Sequence, residues 1–366
     1  MTVPAFQSSL VPVARSLESI NELYMEHRWG DGLPVVPPTQ ERVGRMLRYT
    51  DRDPQAVVAD VAPGFGAATV EKIAINSVLA GCKPEYLPLV IAGVEAACTP
   101  DFNLQGVQST TNPVCVALIL NGPAATQLGV NAGYNCMGQG NWANATIGRA
   151  LRLVLQNVGR ALPGDMDRAT HGQPGKYSFC FAENEAANPW EPLHVEKGFD
   201  ASTSAVTAVA VGGTVNMLER TPDADELLRV FADSMAFPTS NDYNFGGEPW
   251  IVLGPEHAEL LAQAGHTKTS MRERLWELSK LPGARFSRAT LEEALVRRRT
   301  DITGGVTETT LVPISMRPED IWVVVAGGPS IHSVYLPSFG DARASTRPVL
   351  LRDGTPQLTF GQPLSD

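Results

Sequence analysis

The fold class is decided by the stretch Thr203-Ser-Ala-Val-Thr-Ala-Val-Ala-Val-Gly212 and by two later apolar runs, Pro249-Trp-Ile-Val-Leu-Gly-Pro-Glu256 and Ile321-Trp-Val-Val-Val-Ala-Gly-Gly328. Each run is short, apolar and closed by glycine, which is typical of a buried strand that ends in a turn. The intervening segments predict helices over 223–236, from the turn at 254 to Ala264, over 270–280 and over 290–299. Because strands alternate with helices, we predict an α/β fold with a parallel or mixed sheet covered by helices.

The first two hundred residues have fewer charges and more loops. Apolar periodicity there predicts helices over 16–28, 40–48, 69–80, 84–98 and 145–158, and strands over 114–120 and 177–182. The 33 glycines and 28 prolines of the chain fall between these periodic segments, so we expect a loop-rich structure. The change in composition near residue 200 predicts two subdomains, 1–200 and 201–366.

Composition and charge narrow the classes of function. The 366 residues carry a formal net charge of −10 and contain no apolar run of membrane-spanning length. Duplex nucleic acid and anionic membrane surfaces are therefore expected to be poor partners. The five cysteines are odd in number and form no CxxC pair. This argues against a disulfide framework or a closed zinc site and favours a cytoplasmic location.

A glycine-rich turn leads directly into the predicted helix at 145–158. Gly138 and Gly140 precede Asn144, which is predicted to cap this helix, and Arg149 follows about one turn later. The free N–H groups and positive dipole end of a helix suit a phosphate or carboxylate, and a guanidinium can add a bidentate contact. We therefore predict an anion-binding site here, with an ordinary loop and cap as the alternative.

A polar tract over residues 171–196 concentrates acid–base groups. Its candidate catalytic residues are His171, Glu183, Glu185 and His194, and Lys176 is a candidate substrate-binding residue. A glutamate with a raised pKa beside a lysine can act as a general base. The same histidines and glutamates could instead hold a divalent ion. A solvated loop with structural ion pairs is the remaining alternative.

The last apolar strand is followed by a third polar group. Ala326-Gly-Gly-Pro-Ser330 leads to His332 and Ser333, and Arg347 follows closely. Because a strand end at the edge of a sheet often carries functional groups, we predict substrate contacts from His332, Ser333 and Arg347. The alternative is a turn with a capping serine. A serine nucleophile is not expected, because no GxSxG motif occurs.

The cysteines divide into two groups. Cys82, Cys98 and Cys115 lie in apolar segments and are predicted to be core residues. Cys136 lies in the glycine-rich turn near a helix N-terminus, where a thiolate can be stabilised, and Cys180 lies on the strand that leads to the polar tract. These two are the candidate nucleophilic thiols.

Several segments together are similar to a known group of proteins. They are Gly30-Asp-Gly-Leu-Pro-Val-Val-Pro-Pro-Thr39, Ala68-Thr-Val-Glu-Lys-Ile-Ala-Ile-Asn76, Ala80-Gly-Cys-Lys-Pro-Glu-Tyr86, Ala143-Asn-Ala-Thr-Ile-Gly-Arg149, and His171-Gly-Gln-Pro-Gly-Lys176 through Trp190. Over most of residues 20–350 the chain resembles a largely uncharacterised bacterial group related to or associated with UGSC-motif (seleno)proteins. The UGSC motif itself is absent. If the resemblance implies thiol or selenol redox chemistry, that chemistry requires a partner protein or the chain's own Cys136 or Cys180.

These patterns predict an enzyme that acts on a small polar or anionic molecule. We expect one cleft formed by residues 133–149, 171–196 and 327–347. In this hypothesis Arg149, Lys176 and Arg347 hold the anionic group. Glu183 or Glu185 transfers a proton together with His171 or His194. Cys136 or Cys180 contributes a thiol if the reaction is redox or covalent.

Two other classes of function stay open at this point. A metal-dependent lyase or hydrolase would use the histidines and glutamates of the tract as ligands, so a divalent metal is a candidate cofactor while no cofactor is identified. A non-catalytic subunit would use the loops to bind a thiol- or selenol-bearing partner protein. We also expect the chain to form a homo-oligomer.

Overall fold

The computed structural model describes residues 6–13, 16–302 and 305–364. Within these ranges the helices are α1 (Leu17–Glu26), α2 (Gln40–Leu47), α3 (Val70–Ala80), α4 (Leu87–Ala97), α5 (Leu104–Ser109), α6 (Pro123–Gln127), α7 (Trp142–Asn157), α8 (Leu193–Glu196), α9 (Ala224–Met235), α10 (Asn241–Phe245), α11 (Pro255–Gln263), α12 (Lys268–Leu278) and α13 (Val296–Arg298). The strands are β1 (Val57–Val61), β2 (Gly66–Thr69), β3 (Cys115–Asn121), β4 (Cys180–Ala182), β5 (Ala205–Val211), β6 (Val215–Leu218), β7 (Trp250–Leu253), β8 (Leu281–Pro282), β9 (Leu311–Val312), β10 (Trp322–Val325), β11 (His332–Leu336) and β12 (Ser345–Pro348).

Two four-stranded sheets organise these elements, and both are mixed. The first sheet has the order β12-β5-β3-β4, with β4 parallel to β3 and the other pairs antiparallel. The second has the order β10-β7-β11-β6, with only β10 and β7 parallel. Two-stranded ladders join β1 to β2 and β8 to β9. The predicted α/β class with a mixed sheet covered by helices is confirmed.

Strands β3, β5, β7 and β10 bury both of their faces because the two sheets pack against each other. Along β3, Leu118 and Leu120 contact the cluster formed with the helices of the first half, while Ile119 contacts a cluster shared with the second sheet. Along β7, Val252 faces this shared cluster and Ile251 faces the helices of the second half. The layers are therefore helices, sheet, sheet and helices. This arrangement explains why the strands are apolar runs rather than alternating ones.

The first sheet contains strands from both sides of the boundary predicted near residue 200. Strands β5 and β12 come from the second half of the sequence, yet β5 pairs with β3 over its whole length, from Cys115 opposite Val211 to Asn121 opposite Ala205. Strand β12 then extends the same sheet beyond β5. The segment after β10 also differs from the prediction, because His332 and Ser333 begin strand β11 instead of lying in a loop.

The described helices include none that is both long and apolar enough to cross a membrane. Helix α4 is the most apolar, and it is buried on nearly all sides between its neighbouring helices and the first sheet. Its composition is explained by this central position in the core.

Candidate functional site

The three stretches predicted to form one cleft do meet, but they meet through close packing. The Asn184 side-chain amide donates to the Gly327 carbonyl at 3.3 Å, and the Gly327 N–H donates to the carbonyl of Ala132, directly before the first stretch, at 2.8 Å. The Tyr134 ring covers Gly328 so closely that a Cβ atom there would lie 2.0 Å from the ring. Side chains and backbone therefore fill the place where the sequence predicts an open cleft.

The predicted substrate contacts of the last stretch point to separate places. His332 is exposed, and its Nδ1 lies 3.1 Å from the side-chain oxygen of Asn216 on the neighbouring strand. The Ser333 hydroxyl is buried and lies 2.8 Å from Nδ1 of His257. Arg347 is on the edge strand β12 and lines a different cavity. These three residues do not share a site.

Arg149 holds a loop and does not face an open anion site. Its guanidinium makes a bidentate ion pair with Asp31, with N–O distances of 2.7 and 2.8 Å. It also donates to the carbonyls of Leu33 and Pro34. All of these groups belong to the extended Gly/Pro-rich segment after α1, so the arginine fixes the path of that segment. The prediction that Arg149 binds substrate gains no support from this geometry.

The N-terminus of α7 also differs from the prediction, since Asn141 rather than Asn144 is the cap. The Asn141 side chain accepts from the Asn144 N–H at 3.0 Å. Asn144 is buried within the first turn, where its side chain accepts from the Asn131 N–H and donates to the carbonyls of Asn131 and Cys136. Gly138 and Gly140 lie in the loop that these bonds fasten. The glycine-rich turn is thus an internally bonded loop.

This assignment gives a stability prediction. Asn144→Ala is expected to lower the free energy of unfolding by about 2 kcal/mol, because buried backbone groups lose their partners. Asn141→Ala is expected to cost only about 1 kcal/mol, the usual value of an N-cap. Urea denaturation of both variants measures the difference. A larger loss for Asn141→Ala than for Asn144→Ala would contradict the assignment.

The two candidate thiols are buried. Cys136 and Cys180 are only 6% and 4% exposed, and both belong to apolar clusters. Burial raises the pKa of the Cys136 thiol to about 11 and raises that of Cys180 as well. Since the thiolate is the reactive form, neither thiol has the environment of an activated nucleophile.

Three of the predicted catalytic residues do come together, at the carboxyl ends of the parallel strands β3 and β4. The Asn121 side chain donates to Glu183 at 2.6 Å and to Glu185 at 3.0 Å. Glu183 also accepts from the Leu193 N–H at 2.7 Å, and Nδ1 of His194 lies 3.8 Å from the Glu185 carboxylate. Glu183 and His194 are almost fully buried, and burial raises the pKa of the Glu183 carboxyl. We call Asn121, Glu183, Glu185 and His194 the carboxylate cluster.

The other two residues of the tract, His171 and Lys176, lie before β4 and line an open cavity of about 520 Å³. Its volume is within the range of about 300–1,000 Å³ that is usual for small-molecule sites. The cavity is lined by Asp31, Arg152, Gln156, Pro163, Gly164, Asp167, Ala169, His171, Gly172, Gln173, Pro174, Lys176 and Tyr177. We call it the 171–177 pocket.

Two cations share one carboxylate in this pocket. The Lys176 ammonium lies 2.8 and 2.7 Å from the two oxygens of Asp167, and the Arg152 guanidinium lies 3.5 Å from Asp167. The second acidic residue of the lining, Asp31, is neutralised by Arg149 behind the wall. Because Arg149 forms the ion pair with Asp31, Lys176 and Arg152 have Asp167 as their one ion-pair partner among the described residues.

Hydrogen-bonding capacity also remains for a ligand. The Lys176 ammonium has three N–H donors. Its contacts with the two oxygens of Asp167 use two of them, so one N–H remains for a ligand. His171 and Tyr177 are exposed side chains of the same lining, so an imidazole and a phenol are available at its surface. The pocket can therefore hold one anionic group beside a residue that can transfer a proton.

Sequence reasoning missed Arg152 and Asp167. Arg152 was not among the predicted site residues, but it lies on the side of α7 that reaches the loop before the polar tract. Asp167 is in a loop without periodicity, and its partners come from two other segments. No local pattern indicates such a contact, because it depends on the tertiary path of residues 163–177.

The predicted metal ligands are not assembled. His171 lies before β4, whereas Glu183, Glu185 and His194 lie beyond its other end. In the part of the chain that the structure describes, no three His, Cys, Asp or Glu side chains are placed to hold one metal ion.

Comparison with known proteins adds no family assignment. No protein-family model matches the chain, and no curated protein is significantly similar to it. The resemblance to proteins associated with the UGSC motif stays a prediction, and the function has to be argued from the pocket and its residues.

Proposed function

We propose that the chain is an enzyme that binds a small anionic molecule in the 171–177 pocket and acts on it by acid–base chemistry. The observation that supports this most is the pair of cations, Lys176 and Arg152, on the single carboxylate of Asp167 at an open cavity. A carboxylate or phosphate of the ligand would neutralise the remaining positive charge.

In this proposal each residue has a distinct task. Lys176 binds the anionic group through the N–H that it does not give to Asp167. Arg152 is largely buried and keeps Asp167 and Lys176 in position. His171 lies at the pocket surface and exchanges the proton with the bound molecule. The proposal does not use Cys136 or Cys180, because burial keeps both thiols protonated.

The anion-binding part is tested by calorimetric titration with phosphate, malonate, citrate and pyruvate. We expect at least one of them to bind, and Lys176→Met to weaken that binding at least about tenfold, which is about 1.4 kcal/mol. Arg347→Met is the matched control, because Arg347 lines another cavity. Absence of binding by all four compounds, or equal weakening by both variants, would contradict the proposal.

The catalytic part is tested on any bound compound that the protein converts. His171→Gln is expected to lower kcat by about 10²–10⁴-fold, the usual contribution of a general acid–base group, with little change in KM. His332→Gln serves as the control, because His332 is an exposed histidine that does not belong to this lining. An unchanged kcat in His171→Gln would exclude His171 as the proton-transfer residue.

The two alternative functions are less well supported. One is a metal-dependent lyase or hydrolase, and the other is a non-catalytic subunit of a complex with a thiol- or selenol-bearing protein. The metal-dependent alternative draws its ligands from His171, Glu183, Glu185 and His194, and His171 lies at the opposite end of β4 from the other three. Among the described residues no three such side chains are placed to hold one metal ion. No contact in the described residues favours a thiol- or selenol-bearing partner over a small molecule.

A further inference from the structure

The lining of the 171–177 pocket contains two glutamines besides its charged residues. The carboxylates of Asp31 and Asp167 are already held in ion pairs. Part of the lining has no polar side-chain atom, namely Pro163, Gly164, Ala169, Gly172 and Pro174. The side-chain amides of Gln156 and Gln173 therefore contribute much of the hydrogen-bonding surface that a ligand meets beyond Lys176.

The Gln156 amide has a fixed orientation. Its Nε2 atom donates to the carbonyls of Arg28 and Gly30 at 3.2 and 2.8 Å, which uses both of its N–H groups. Turning the amide over would place Oε1 against the same two carbonyl oxygens, where no proton is available. The nitrogen is therefore assigned to the loop after α1, and the oxygen has to lie on the other side.

The oxygen of this amide has no donor. The Gln156 side chain belongs to a residue that is only 4% exposed, and its Oε1 atom accepts no hydrogen bond from the described residues. These residues do not enclose the atom completely, so its lone pairs stay open to the cavity that the side chain lines. A nearly buried acceptor of this kind is satisfied only when a ligand or a water molecule donates to it.

Gln173, in the turn that leads to Lys176, is bonded in the same way. Its Nε2 atom donates to the carbonyls of Pro113 and Val211 at 3.0 and 2.8 Å, so both N–H groups are again used. Its Oε1 atom accepts no hydrogen bond from the described residues and is not enclosed by them. This oxygen lies 3.4 Å from the position of a Cβ atom at Gly175, within the same turn. The lining thus offers two fixed acceptors.

The two amide oxygens discriminate between ligands. A carboxylate, phosphate or keto oxygen placed against an amide oxygen brings two acceptors together without a proton, whereas an N–H or O–H group satisfies the acceptor. The anionic group of a ligand therefore fits at Lys176. The part of the ligand that lies beside Gln156 and Gln173 has to donate.

We propose that the 171–177 pocket selects a small acid that also carries an amino, amide or hydroxyl group. This specificity rests on the function proposed above and names its substrate class. Lys176 binds the carboxylate or phosphate, and Gln156 Oε1 accepts from the donor group. Gln173 Oε1 accepts a second N–H where the ligand has one, as an ammonium or a primary amide does. Acids that have only acceptors beyond the anionic group are poor ligands.

The test is calorimetric titration with two series of acids. Butyrate carries only the carboxylate, and 4-hydroxybutyrate, 4-aminobutyrate and succinamate add a hydroxyl, an ammonium or an amide at the far end. Propionate, lactate and alanine place the donor next to the carboxylate. We expect at least one donor-bearing acid to bind at least about tenfold more tightly than its parent, butyrate or propionate. The tightest ligand then identifies the kind of donor.

The results separate this proposal from the function on which it rests. If phosphate or malonate binds but no donor-bearing acid binds more tightly than its parent, the donor requirement is wrong and the anion-binding function stands. If no anion binds at all, both are wrong. Lys176→Met is expected to weaken a donor-bearing acid and its parent alike, because both place their carboxylate at Lys176.

Gln156→Leu tests the acceptor, because it removes the oxygen and keeps the size of the side chain. It is expected to weaken the preferred acid at least about tenfold and to change the Kd of the parent less than about twofold. A merely structural defect would weaken both ligands equally. Gln173→Leu, at a more exposed position, is the second variant if Gln156→Leu does not fold, and it should also reduce the preference.

Gln127→Leu is the matched control. Gln127 is an exposed glutamine whose amide also bonds backbone groups, and it lies outside the lining. It should leave the ratio of the two Kd values unchanged. A ratio that stays at the wild-type value in both Gln156→Leu and Gln173→Leu, or that falls equally in Gln127→Leu, would overturn the proposal.

Discussion

Asp242→Ala is expected to lower the free energy of unfolding by about 4 kcal/mol, within the range for breaking a buried, fully bonded carboxylate. Asp242 lies on α10 and is completely buried. Its two oxygens accept from the Tyr335 hydroxyl and from both the N–H and the hydroxyl of Ser338. Removing the carboxylate leaves these donors buried without an acceptor. Urea denaturation followed by circular dichroism measures the loss.

The control is Asp233→Ala, which removes an exposed carboxylate with one weak ion pair. It should change the free energy of unfolding by less than about 0.5 kcal/mol. A loss for Asp242→Ala as small as the loss for this control would show that the Asp242 bonds do not hold α10 to the strand β11.

The same carboxylate gives a pH dependence with a definite sign. Burial raises the pKa of Asp242 from 3.8 to about 6, against the opposing effect of its hydrogen bonds. The folded state therefore binds this proton more tightly than the unfolded state, so the contribution of Asp242 to stability falls as the pH rises from about 4 to about 6. Asp242→Asn does not titrate, so its stability should decline less than that of the wild type over this interval.

Glu183→Ala is expected to cost about 3 kcal/mol of unfolding free energy, the second largest loss of stability that we expect. Three donors converge on this buried carboxylate, from the side chains of Asn121 and Asn188 and from the backbone of Leu193, at 2.6, 2.9 and 2.7 Å. Glu183→Gln keeps one acceptor oxygen and loses the other, so we expect a smaller loss of about 1 kcal/mol. Chemical denaturation of the two variants gives both values.

Glu191→Ala is the matched control, because Glu191 is an exposed glutamate of the same tract. It should leave the stability unchanged within about 0.5 kcal/mol. If Glu183→Ala were as stable as the wild type and lost only activity, a structural role for the carboxylate cluster would be contradicted. Glu183 would then have to be assigned as a catalytic residue.

Much of the fold could be predicted from the sequence because the strands are buried on both faces. The runs that became β3, β5, β7 and β10 are apolar except for Asn121 and Thr207, so their character does not depend on the register. Strand β12, Ser345-Thr-Arg-Pro348, escaped prediction because it is a short polar edge strand that carries a proline. The pairing of β5 with β3 depends on contacts far apart in sequence and could not be inferred locally.

The candidate site was predicted only in part, for a geometric reason. Residues 171–196 are close in sequence, but β4 passes through the middle of the tract. A strand carries its two flanking segments to opposite ends of a sheet, so Lys176 and Glu183 lie at different ends of β4. The first half of the tract therefore contributes to the 171–177 pocket, and the second half contributes to the carboxylate cluster.

The role of Arg149 could not be predicted for a different reason. Its ion pair with Asp31 joins segments more than a hundred residues apart, and no local pattern indicates it.

The central claim is that the 171–177 pocket, and neither the glycine-rich turn nor the carboxylate cluster, receives the anionic ligand. Its most direct test is amide chemical-shift mapping of the labelled protein titrated with the anion that binds in calorimetry. We expect the largest shifts on the amides of residues 167–177. Largest shifts at residues 136–144 or 183–194, or no shift at saturating ligand, would contradict the claim.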